Sequence, residues 1–483
     1  PKTHEPLFQE TLTNAGINKY LFEMANIRNQ CSWVHKEEDV MATEKAKDLV
    51  RMAVTKVSLL EPLIDPILEV NQNALVIGGG VAGMAAAKTM ADQGYKTFLI
   101  EKNDSLGGQA RFVHETWRGE DVQGYLTRLK EEIHSHANIE VFLNAQISKV
   151  EGFVGNFKTV IGWHDETQQV LEHGVTIVAS GASEFKPDQY LYGKDPRVIT
   201  GMELQQRFIQ RDSTLNTIQT AVFVQCVGSR IPERPYCSKI CCTSSIKSAL
   251  KLKEINPDAR IFIIYRDMRP YGLREDLYRE ARSKGISFMR YNFDKDLEVT
   301  KEQDEIEIHF EDFVLRRRIR IRADLLVLAA AIVPEKESPL ATFYKIPQDA
   351  DGFFLEAHAK LRPVDFATDG VFLCGLAHSA KPIDESITQA QAAAARAITL
   401  LSAKTLPVSG TVAFVNPAFC SSCGVCVSIC PYSAPRINEK TGKAEIESTL
   451  CKGCGLCSAS CRSGAIGLRG FEPAQIMDMI NAA

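Results

Sequence analysis

The chain has 483 residues, of which 45% are hydrophobic and 24% are charged, and its formal net charge is -4. These values exclude an intrinsically disordered chain, and the small negative charge gives no preference for nucleic acid or an anionic membrane. The length predicts about three domains. No apolar run reaches the roughly 18 residues that span a bilayer, because the longest run, near Leu325–Val333, lies in a strand pattern.

The distribution of the 14 cysteines indicates metal chemistry rather than disulfide bonding. Most of them fall into tight groups, and no secretory signal opens the sequence. Grouped cysteines in such a chain are typical of metal or cluster ligands. The sequence therefore predicts a protein of a reducing, anaerobic cytoplasm with no transmembrane segment. Because Pro1 is not an initiator residue, we also expect an upstream segment.

The predicted elements begin with a polar N-terminal arm, in which Ala42–Leu59 has the spacing of a helix. From Ala74 onwards the pattern changes to alternating strands and helices, which predicts parallel sheets covered on both faces. A second alternating unit covers about residues 217–322. The predicted strands are Ala74–Ile77, Thr97–Ile100, Val175–Ala179, Ala221–Gln225, Ile261–Tyr265, Leu325–Ile332 and Gly370–Leu373. The predicted helices are Val81–Gly94, Ser244–Ile255, Gln389–Ser402 and Pro473–Ile480.

A glycine-rich motif at 78–83 (GGGVAG) follows a predicted strand and opens a helix. Gly78 permits a tight turn, Gly80 lets the backbone approach a pyrophosphate, and Gly83 lets the helix pack closely on the sheet. The helix N-terminus offers free N–H groups to the phosphates. Glu101, about 20 residues further on, is placed to accept hydrogen bonds from ribose hydroxyls. The alternative is a glycine turn that binds no ligand.

Further segments favour FAD over NAD here, because they resemble those of the disulfide-reductase flavoproteins. They are residues 101–109 (EKNDSLGGQ), 178–182 (VASGA) and 368–375 (TDGVFLCG). Leu376 stands where that family carries an aspartate for the ribityl chain. Pro382 starts a helix whose N-terminal dipole would face the flavin. The cofactor-binding candidates outside the glycine-rich motif are Glu101, Lys102, Gly108, Gln109, Ala179, Gly181, Gly375, Lys381 and Pro382.

The resemblance to thioredoxin-reductase-like flavoproteins covers about residues 72–405, and it implies an FAD domain split by a second Rossmann-like domain. After Ala221–Gln225 that second domain reads CVGSR and lacks the glycines that nicotinamide binding needs, so we predict no NAD(P)H site. Four cysteines remain there, as many thiolates as a 4Fe–4S cluster requires. They are Cys226, Cys237, Cys241 and Cys242. The alternatives are four cysteines without a metal and a zinc site.

The C-terminal cysteines repeat the spacing C-x-x-C-x-x-C-x-x-x-C, although Arg462 replaces the proline that follows the first run. In two-cluster ferredoxins the first three cysteines of each run bind one cluster and the fourth crosses to the other. We therefore predict two 4Fe–4S clusters, with zinc as the minor alternative. The first ligand set is Cys420, Cys423, Cys426 and Cys461. The second is Cys451, Cys454, Cys457 and Cys430.

In combination, these features resemble the A-subunit family of heterodisulfide reductases, the flavin-bearing hub of electron-bifurcating complexes. The resemblance is carried by residues 3–8 (THEPLF), 20–35 (YLFEMANIRNQCSWVH) and 225–230 (QCVGSR), together with the C-terminal cysteine runs. It implies a cluster on the four inserted cysteines near the flavin. It also implies that Lys247 is catalytic and close to the flavin N5, whereas the residues alone favour a solvated helix lysine.

Members of this family carry a further N-terminal segment with more cysteines, which is absent from this sequence. Cys31 is therefore either an orphan ligand or completes a further cluster with another chain. The family also implies B- and C-like subunits and ferredoxin as partners, within a complex that holds a homodimer of this chain. The electron-input subunit would be a hydrogenase, a formate dehydrogenase or an NADH-linked protein.

The predicted fold class is α/β: a thioredoxin-reductase-like, two-part Rossmann flavoprotein with a C-terminal ferredoxin-like α+β domain that holds two clusters. The predicted division is a helical arm at 1–70 as the remnant of a cluster-binding domain, FAD-domain parts at 71–190 and 323–405, an inserted NAD-like domain at 191–322, and the ferredoxin-like domain at 410–483.

The leading functional hypothesis is an enzyme subunit that splits electron pairs at FAD. It would pass single electrons through the clusters to ferredoxin and to a disulfide-reducing partner. One alternative is an NAD(P)H-dependent FAD and iron–sulfur oxidoreductase, like the small subunit of glutamate synthase. The other is a non-catalytic subunit that only relays electrons between partners.

Overall fold

A computed structural model describes residues 4–291, 295 and 297–483. The first three residues of the predicted arm, with Thr3 of the THEPLF segment, lie outside the described residues. The same holds for 292–294 and 296 of the predicted inserted domain.

The described helices and strands follow one another along the whole chain. The α-helices are α1 (Glu5–Asn14), α2 (Asp39–Ser58), α3 (Val81–Asp92), α4 (Val122–Ser135), α5 (Gly201–Gln210), α6 (Cys241–Ile255), α7 (Glu275–Ser283), α8 (Pro339–Tyr344), α9 (Ile383–Leu401), α10 (Val425–Ile429), α11 (Leu456–Ala459) and α12 (Pro473–Asn481). The strands are β1 (Ile67–Glu69), β2 (Ala74–Ile77), β3 (Thr97–Ile100), β4 (Ile139–Phe142), β5 (Gln146–Phe153), β6 (Asn156–Gly162), β7 (Gln168–His173), β8 (Val175–Val178), β9 (Ser183–Glu184), β10 (Val198–Thr200), β11 (Thr220–Val227), β12 (Arg260–Tyr265), β13 (Ser287–Arg290), β14 (Glu298–Glu302), β15 (Glu305–Glu311), β16 (Arg318–Ala323), β17 (Leu325–Ala330), β18 (Ile332–Val333), β19 (Val371–Leu373), β20 (Thr405–Pro407), β21 (Ala413–Val415), β22 (Pro435–Ile437), β23 (Ala444–Ile446) and β24 (Ile466–Leu468).

The chain folds into two units. One consists of the residues up to Glu69 together with Thr405–Ala483, and the other consists of Val70–Lys404. None of the described helices combines the length and the apolar character that crossing a bilayer requires.

The Val70–Lys404 unit begins with a parallel sheet in the order β19-β8-β2-β3-β4. Strands β2, β3, β8 and β19 are buried along their whole length, as expected for parallel strands that are covered on both faces. Helices α3, α4 and α9 pack on one face. The antiparallel sheet β5-β6-β7 and helix α8 cover the other. The strands predicted at 74–77 and 97–100 are present with those bounds.

The second parallel sheet of this unit repeats the same arrangement in the order β10-β17-β11-β12-β13. Helices α5, α6 and α7 pack on one face, and the antiparallel sheet β14-β15-β16 packs on the other. Strands β9 and β18 pair antiparallel, with Ile332 opposite Glu184. The chain therefore leaves the first sheet through β9 and returns through β18, so the second sheet is an insertion between the two halves of the first.

In the other unit, the N-terminal helices fold together with the C-terminal segment. The Gln475 Nε2 on α12 donates to the carbonyl of Leu59, which follows α2, at 2.9 Å. The Lys56 ammonium lies 4.0 Å from the ring centroid of Phe471. Strand β1 pairs with β20, β21 with β24, and β22 with β23. The core at residues 412–468, named here the dicluster module, consists of small apolar residues and cysteines.

Candidate functional site

The glycine-rich turn lies between β2 and α3, at the C-terminal edge of the first sheet. Gly78 has a φ of +109°, and a Cβ there would lie 2.3 Å from the carbonyl oxygen of Ala179. A Cβ on Gly83 would lie 1.8 Å from the Gly78 carbonyl oxygen, so only glycine lets α3 pack this closely. Open space surrounds the position of a Cβ on Gly80. The backbone is therefore accessible at the point where a pyrophosphate would approach.

A cavity of about 920 Å³ opens beside this turn and is lined by residues of both parallel sheets. Its volume suits a large cofactor, since ligand pockets span roughly 300–1,000 Å³. The predicted residues that line it are Gly78, Gly80, Glu101, Lys102, Gly108, Gln109, Ala179, Gly181, Lys247, Lys381 and Pro382. Gly83 and Gly375 lie behind the wall, where a Cβ on Gly375 would be 2.8 Å from the Cβ of Ala82. Leu376, in place of the family aspartate, is part of the lining.

Glu101 is buried at the end of β3 and holds the glycine turn in place. Its Oε2 accepts a hydrogen bond from the Gly79 N–H at 2.7 Å, and its Oε1 accepts two from Asn103, at 2.9 and 2.6 Å. A carboxylate has capacity for further donors, so ribose hydroxyls can still bind it. Lys102, in contrast, is exposed and lies 3.9 Å from Glu335 at the cavity.

Positive charge collects at one wall of the cavity. Pro382 caps α9, and the helix N-terminus behind it carries the positive end of the dipole. The Lys381 ammonium donates to the carbonyl oxygens of Gly375 at 2.7 Å and Ser379 at 3.0 Å. Burial lowers the pKa of Lys381 to about 8. An anionic group bound in the cavity would therefore be stabilised from this side.

Lys247 is not the solvated helix lysine that the residues alone suggest. It lies on α6 with its side chain 19% exposed, and it lines the cavity. Its Nζ is 3.6 Å from the Glu115 Oε2, which also lines the cavity. This placement agrees with what the family resemblance implies, although the catalytic role of Lys247 stays a prediction.

The contacts of Glu385 on α9 with the loops of the inserted part of the chain, called the Glu385 clamp, could not be found from the sequence. Glu385 accepts hydrogen bonds from the Lys239 Nζ at 2.6 Å, the Arg274 Nη1 at 3.1 Å and the Tyr271 hydroxyl. The Arg274 Nη2 also donates to Asp384 at 2.9 Å. The acidic pair in the first turn of α9 was a visible signal. Its partners lie more than 100 positions away, so no local pattern identifies them.

The four-cysteine site (Cys226, Cys237, Cys241 and Cys242) is built at the end of β11 and the beginning of α6. Burial raises the pKa of the Cys241 thiol well above its usual value, and the other three cysteines raise it further. Burial likewise raises the pKa of Cys242 to about 11, with added contributions from Cys226 and Cys237. The Cys241 Sγ lies 3.6 Å from the carbonyl oxygen of Ala330, whose strand partner Val227 follows Cys226, so the fold brings these two segments together. Cys241 also lines the large cavity.

Buried polar atoms without partners surround this site and fit a 4Fe–4S cluster. Within the described residues, both amide atoms of Gln225, the Arg230 Nη1 and the Thr243 Oγ1 are buried and make no hydrogen bond. Gln225 and Thr243 are direct neighbours of cysteines in the chain. Sulfurs of a cluster accept hydrogen bonds, so a bound cluster would satisfy the three donors among these atoms, the Gln225 Nε2, the Arg230 Nη1 and the Thr243 Oγ1.

Among the described residues, no group of three or more His, Cys, Asp or Glu side chains has the geometry to hold one metal ion.

In the dicluster module, a small cavity brings the predicted second ligand set together. Cys430, Cys451, Cys454 and Cys457 all line it. Burial raises the pKa of Cys457, and Cys451, Cys430 and Cys454 add to this effect. The fourth cysteine of the first run therefore crosses to the second run in the fold, as the spacing predicts.

Three cysteines of the first predicted ligand set, Cys420, Cys423 and Cys426, have surroundings similar to those of the second set. Burial raises the pKa of Cys426, with smaller contributions from Cys420 and Cys423. The two runs are also matched in their N–H···S contacts: the Ala444 N–H lies 3.4 Å from the Cys420 Sγ. Likewise, the Ala413 N–H lies 3.3 Å from the Cys451 Sγ. Cys461 is half-buried, and its place in this set stays a prediction.

Comparison with known proteins identifies the family. Residues 72–225 match the family model for pyridine nucleotide-disulphide oxidoreductases, and residues 418–473 match the 4Fe–4S dicluster domain. The chain is 35% identical to the iron–sulfur A-subunit 2 of the CoB–CoM heterodisulfide reductase of Methanopyrus kandleri, over 92% of this chain and 82% of that protein. It belongs to the A-subunit family of heterodisulfide reductases.

Two further proteins are similar to this chain. The A-subunit of the H2:CoB–CoM heterodisulfide,ferredoxin reductase of Methanothermobacter thermautotrophicus is 34% identical, over 100% of this chain and 87% of that protein. Among solved structures, thioredoxin reductase of Lactococcus lactis is similar over 68% of this chain and 99% of its own, at 17% identity and a TM-score of 0.48.

Membership of the A-subunit family confirms the predicted oxidoreductase class and makes the chain an iron–sulfur flavoprotein. The α/β fold class is also confirmed, with one sheet inserted into the other and a dicluster domain at the C-terminal end. The division into five domains, the individual site residues and the number of clusters stay predictions.

Cys31 lies in the N-terminal arm of the chain. It sits in a short π-helical turn, Arg28–Ser32, and is 2% exposed. Its thiol donates to the Ala42 carbonyl on α2 at 2.8 Å. Ligation by Cys31 would therefore require this contact to open, and its role in a further cluster stays a prediction.

Proposed function

We propose that this protein takes up electron pairs at an FAD in the 920 Å³ cavity and passes them on singly through three 4Fe–4S clusters. The observation that carries this proposal is the shared wall of the cavity. The glycine turn for the cofactor, Lys247 and Cys241 of the four-cysteine site all line the same space. A two-electron centre and a one-electron centre would thus be neighbours.

In the proposed arrangement, the protein holds the cofactor and supplies charge around it. The Gly80 backbone and the N-terminus of α3 would bind the pyrophosphate, and Glu101 would bind the ribose. Lys247, Lys381 and the N-terminus of α9 would surround the ring with positive charge. FAD exchanges electrons both in pairs and singly, which is the chemistry this site would need.

The competing NAD(P)H-dependent function is disfavoured by the turn that follows β11. Its Gly228 is the position closest to a nicotinamide-type glycine turn, but a Cβ there would lie 2.4 Å from the Phe185 ring. The Arg234 guanidinium lies 4.2 Å from the centroid of the same ring. The aromatic ring therefore occupies the space through which a pyrophosphate would approach this backbone.

The names of the relatives support the proposed partners. The name of the Methanothermobacter thermautotrophicus relative includes H2, the CoB–CoM heterodisulfide and ferredoxin, and that of a Methanococcus maripaludis relative includes both H2 and formate. We infer that electrons enter this chain from a hydrogenase or formate dehydrogenase subunit. They would leave to ferredoxin and to B- and C-like subunits that reduce a disulfide, in a complex that contains a homodimer of this chain.

The decisive test is electron bifurcation in the complex purified without oxygen. Ferredoxin should be reduced only while a disulfide acceptor is present, and potentiometry should show crossed one-electron potentials of the flavin. Ferredoxin reduction that is independent of the disulfide would contradict bifurcation. Full activity after selective removal of the flavin would instead support a protein that only relays electrons.

A further inference from the structure

The backbone around the four-cysteine site is held in unfavourable conformations. Cys226, Arg230 and Lys239 are not glycines, yet their φ angles are +62°, +57° and +63°. The pairing of β11 with β17 also shifts register between Val224 and Val227. Bulges and left-handed non-glycine residues concentrate at functional sites, where they redirect side chains. At this site they shape the turn after β11, which contains both Cys226 and Arg230.

Three hydrogen bonds hold Arg230 in place and leave its Nη1 without a partner in the described part of the chain. Its Nη2 donates to the Asp267 Oδ2 at 2.8 Å, its N–H donates to the Tyr236 carbonyl at 3.1 Å, and its carbonyl accepts from the Arg266 Nη1 at 2.7 Å. Among the described residues, its Nη1 is buried and has no partner. A buried, charged N–H group without an acceptor is costly, so this nitrogen indicates an acceptor that binds there.

The acceptor would lie on the cysteine side of the guanidinium. Asp267 contacts both sides: its carboxylate accepts from the Arg230 Nη2 at 2.8 Å, and its carbonyl oxygen lies 3.9 Å from the Cys242 Sγ. The Asp267 carboxylate is shared by Arg230 at 2.8 Å, Arg269 at 3.4 Å and Arg290 at 3.5 Å. A surplus of positive charge therefore faces the thiolates.

We propose that Arg230 donates a hydrogen bond from its Nη1 to a sulfur of the cluster on the four-cysteine site, and that it thereby raises the reduction potential of that cluster. A cluster becomes more negative by one charge on reduction, so a nearby cation favours the reduced form. Arg230 is thus a positioning and tuning residue. This inference rests on the cluster in the proposed function.

The test uses the full chain, purified without oxygen, and its readout is the cluster potential rather than turnover. The signal that Cys226→Ala removes from the EPR spectrum identifies the cluster in question. We compare Arg230→Met, which removes charge and donors, with Arg230→Gln, which keeps a neutral donor. The matched control is Arg279→Met on α7, whose side chain is 72% exposed.

In Arg230→Met, the ratio of reduced to oxidised cluster at the wild-type midpoint should fall about tenfold, or about 59 mV for a one-electron centre. Arg230→Gln should shift the potential in the same direction by less, and Arg279→Met should not shift it. If Arg230→Met loses iron at this site, the potential of the cluster in Arg230→Gln decides the role of Arg230: a lowered potential supports it, and an unchanged potential contradicts it.

Unchanged potentials with full iron content in both Arg230 variants would overturn the role of Arg230 and leave the cluster itself intact. If the wild-type chain gives no signal that Cys226→Ala removes, the cluster of the proposed function fails instead. The two failures are therefore distinguishable in one set of titrations.

Discussion

The dicluster module and the four-cysteine site place their cysteines in opposite kinds of surroundings. In the dicluster module, cysteines form much of the buried core, and the adjoining helices α10 and α11 have only 5 and 4 residues. The four-cysteine site lies at the end of β11 in a complete sheet, with apolar clusters on both faces. The difference indicates that clusters would stabilise the fold of the module, whereas the inserted sheet would fold without one.

Removal of iron should produce the largest effect and separate the two regions. Because metal binding contributes directly to folding where the ligands are the core, anaerobic chelation should unfold residues 412–468. The Val70–Lys404 unit should stay folded, since its sheets have their own cores. Limited proteolysis with mass spectrometry checks this, with untreated protein as the control. Equal resistance of both regions to proteolysis after chelation would contradict the proposed difference in their dependence on clusters.

Two substitutions in the glycine turn test whether the fold forms the flavin cavity without a bound cofactor. Gly83→Ala would place a Cβ 1.8 Å from the Gly78 carbonyl oxygen, so we expect a loss of about 4 kcal/mol or more in the free energy of unfolding. Gly80→Ala meets no atom within 4 Å and should leave that free energy unchanged. Its methyl group would instead obstruct the cofactor and lower FAD affinity.

The two glycine variants are checked by thermal unfolding and by the flavin content of the purified chain. Equal stability of Gly83→Ala and Gly80→Ala would show that close packing of α3 is not required. Full flavin content in Gly80→Ala would show that the cofactor binds elsewhere.

The lowered pKa of Lys381 predicts that the free energy of unfolding of the Val70–Lys404 unit depends on pH. Burial lowers its pKa from 10.5 to about 8, so the unfolded chain binds this proton more tightly between these pH values. The free energy of unfolding should therefore rise between about pH 8 and 10.5, by about 3 kcal/mol. Urea unfolding of the flavin-free chain measures this rise. Lys381→Met should remove it, and an identical rise in that variant would contradict the assignment.

The Glu385 clamp should give the smallest effect. Glu385→Gln removes the charge that Lys239 and Arg274 share, and we expect a loss of about 1 kcal/mol in local stability. Hydrogen exchange at Tyr271–Arg274 should accelerate by a corresponding factor. Gln391→Ala, an exposed position on the same helix, is the control. Unchanged exchange in Glu385→Gln would show that the clamp does not hold the inserted sheet against α9.

The placement of site residues could be predicted from the sequence where those residues are close together in the chain. The crossing of Cys430 to the second cysteine run and the turn at Gly78 and Gly83 follow from local spacing. The orphan atoms of Gln225 and Thr243 could not be predicted, because burial without a partner is a property of the folded surroundings.

The sheets β5-β6-β7 and β14-β15-β16 are hard to predict from the sequence for a different reason. Strands β5 and β14 are largely polar and partly exposed, so they lack the apolar runs that identify the buried parallel strands. Likewise, Lys247 has no sequence signal that separates it from a surface lysine. Only the fold places it beside Glu115 in the cavity.

The most direct measurement is a count of iron per flavin on oxygen-free protein, combined with the addition of NADH or NADPH. Three 4Fe–4S clusters predict about twelve irons per flavin, and neither nucleotide should bleach the flavin of the isolated chain. About eight irons per flavin, with rapid bleaching by either nucleotide, would contradict a cluster in place of the nicotinamide.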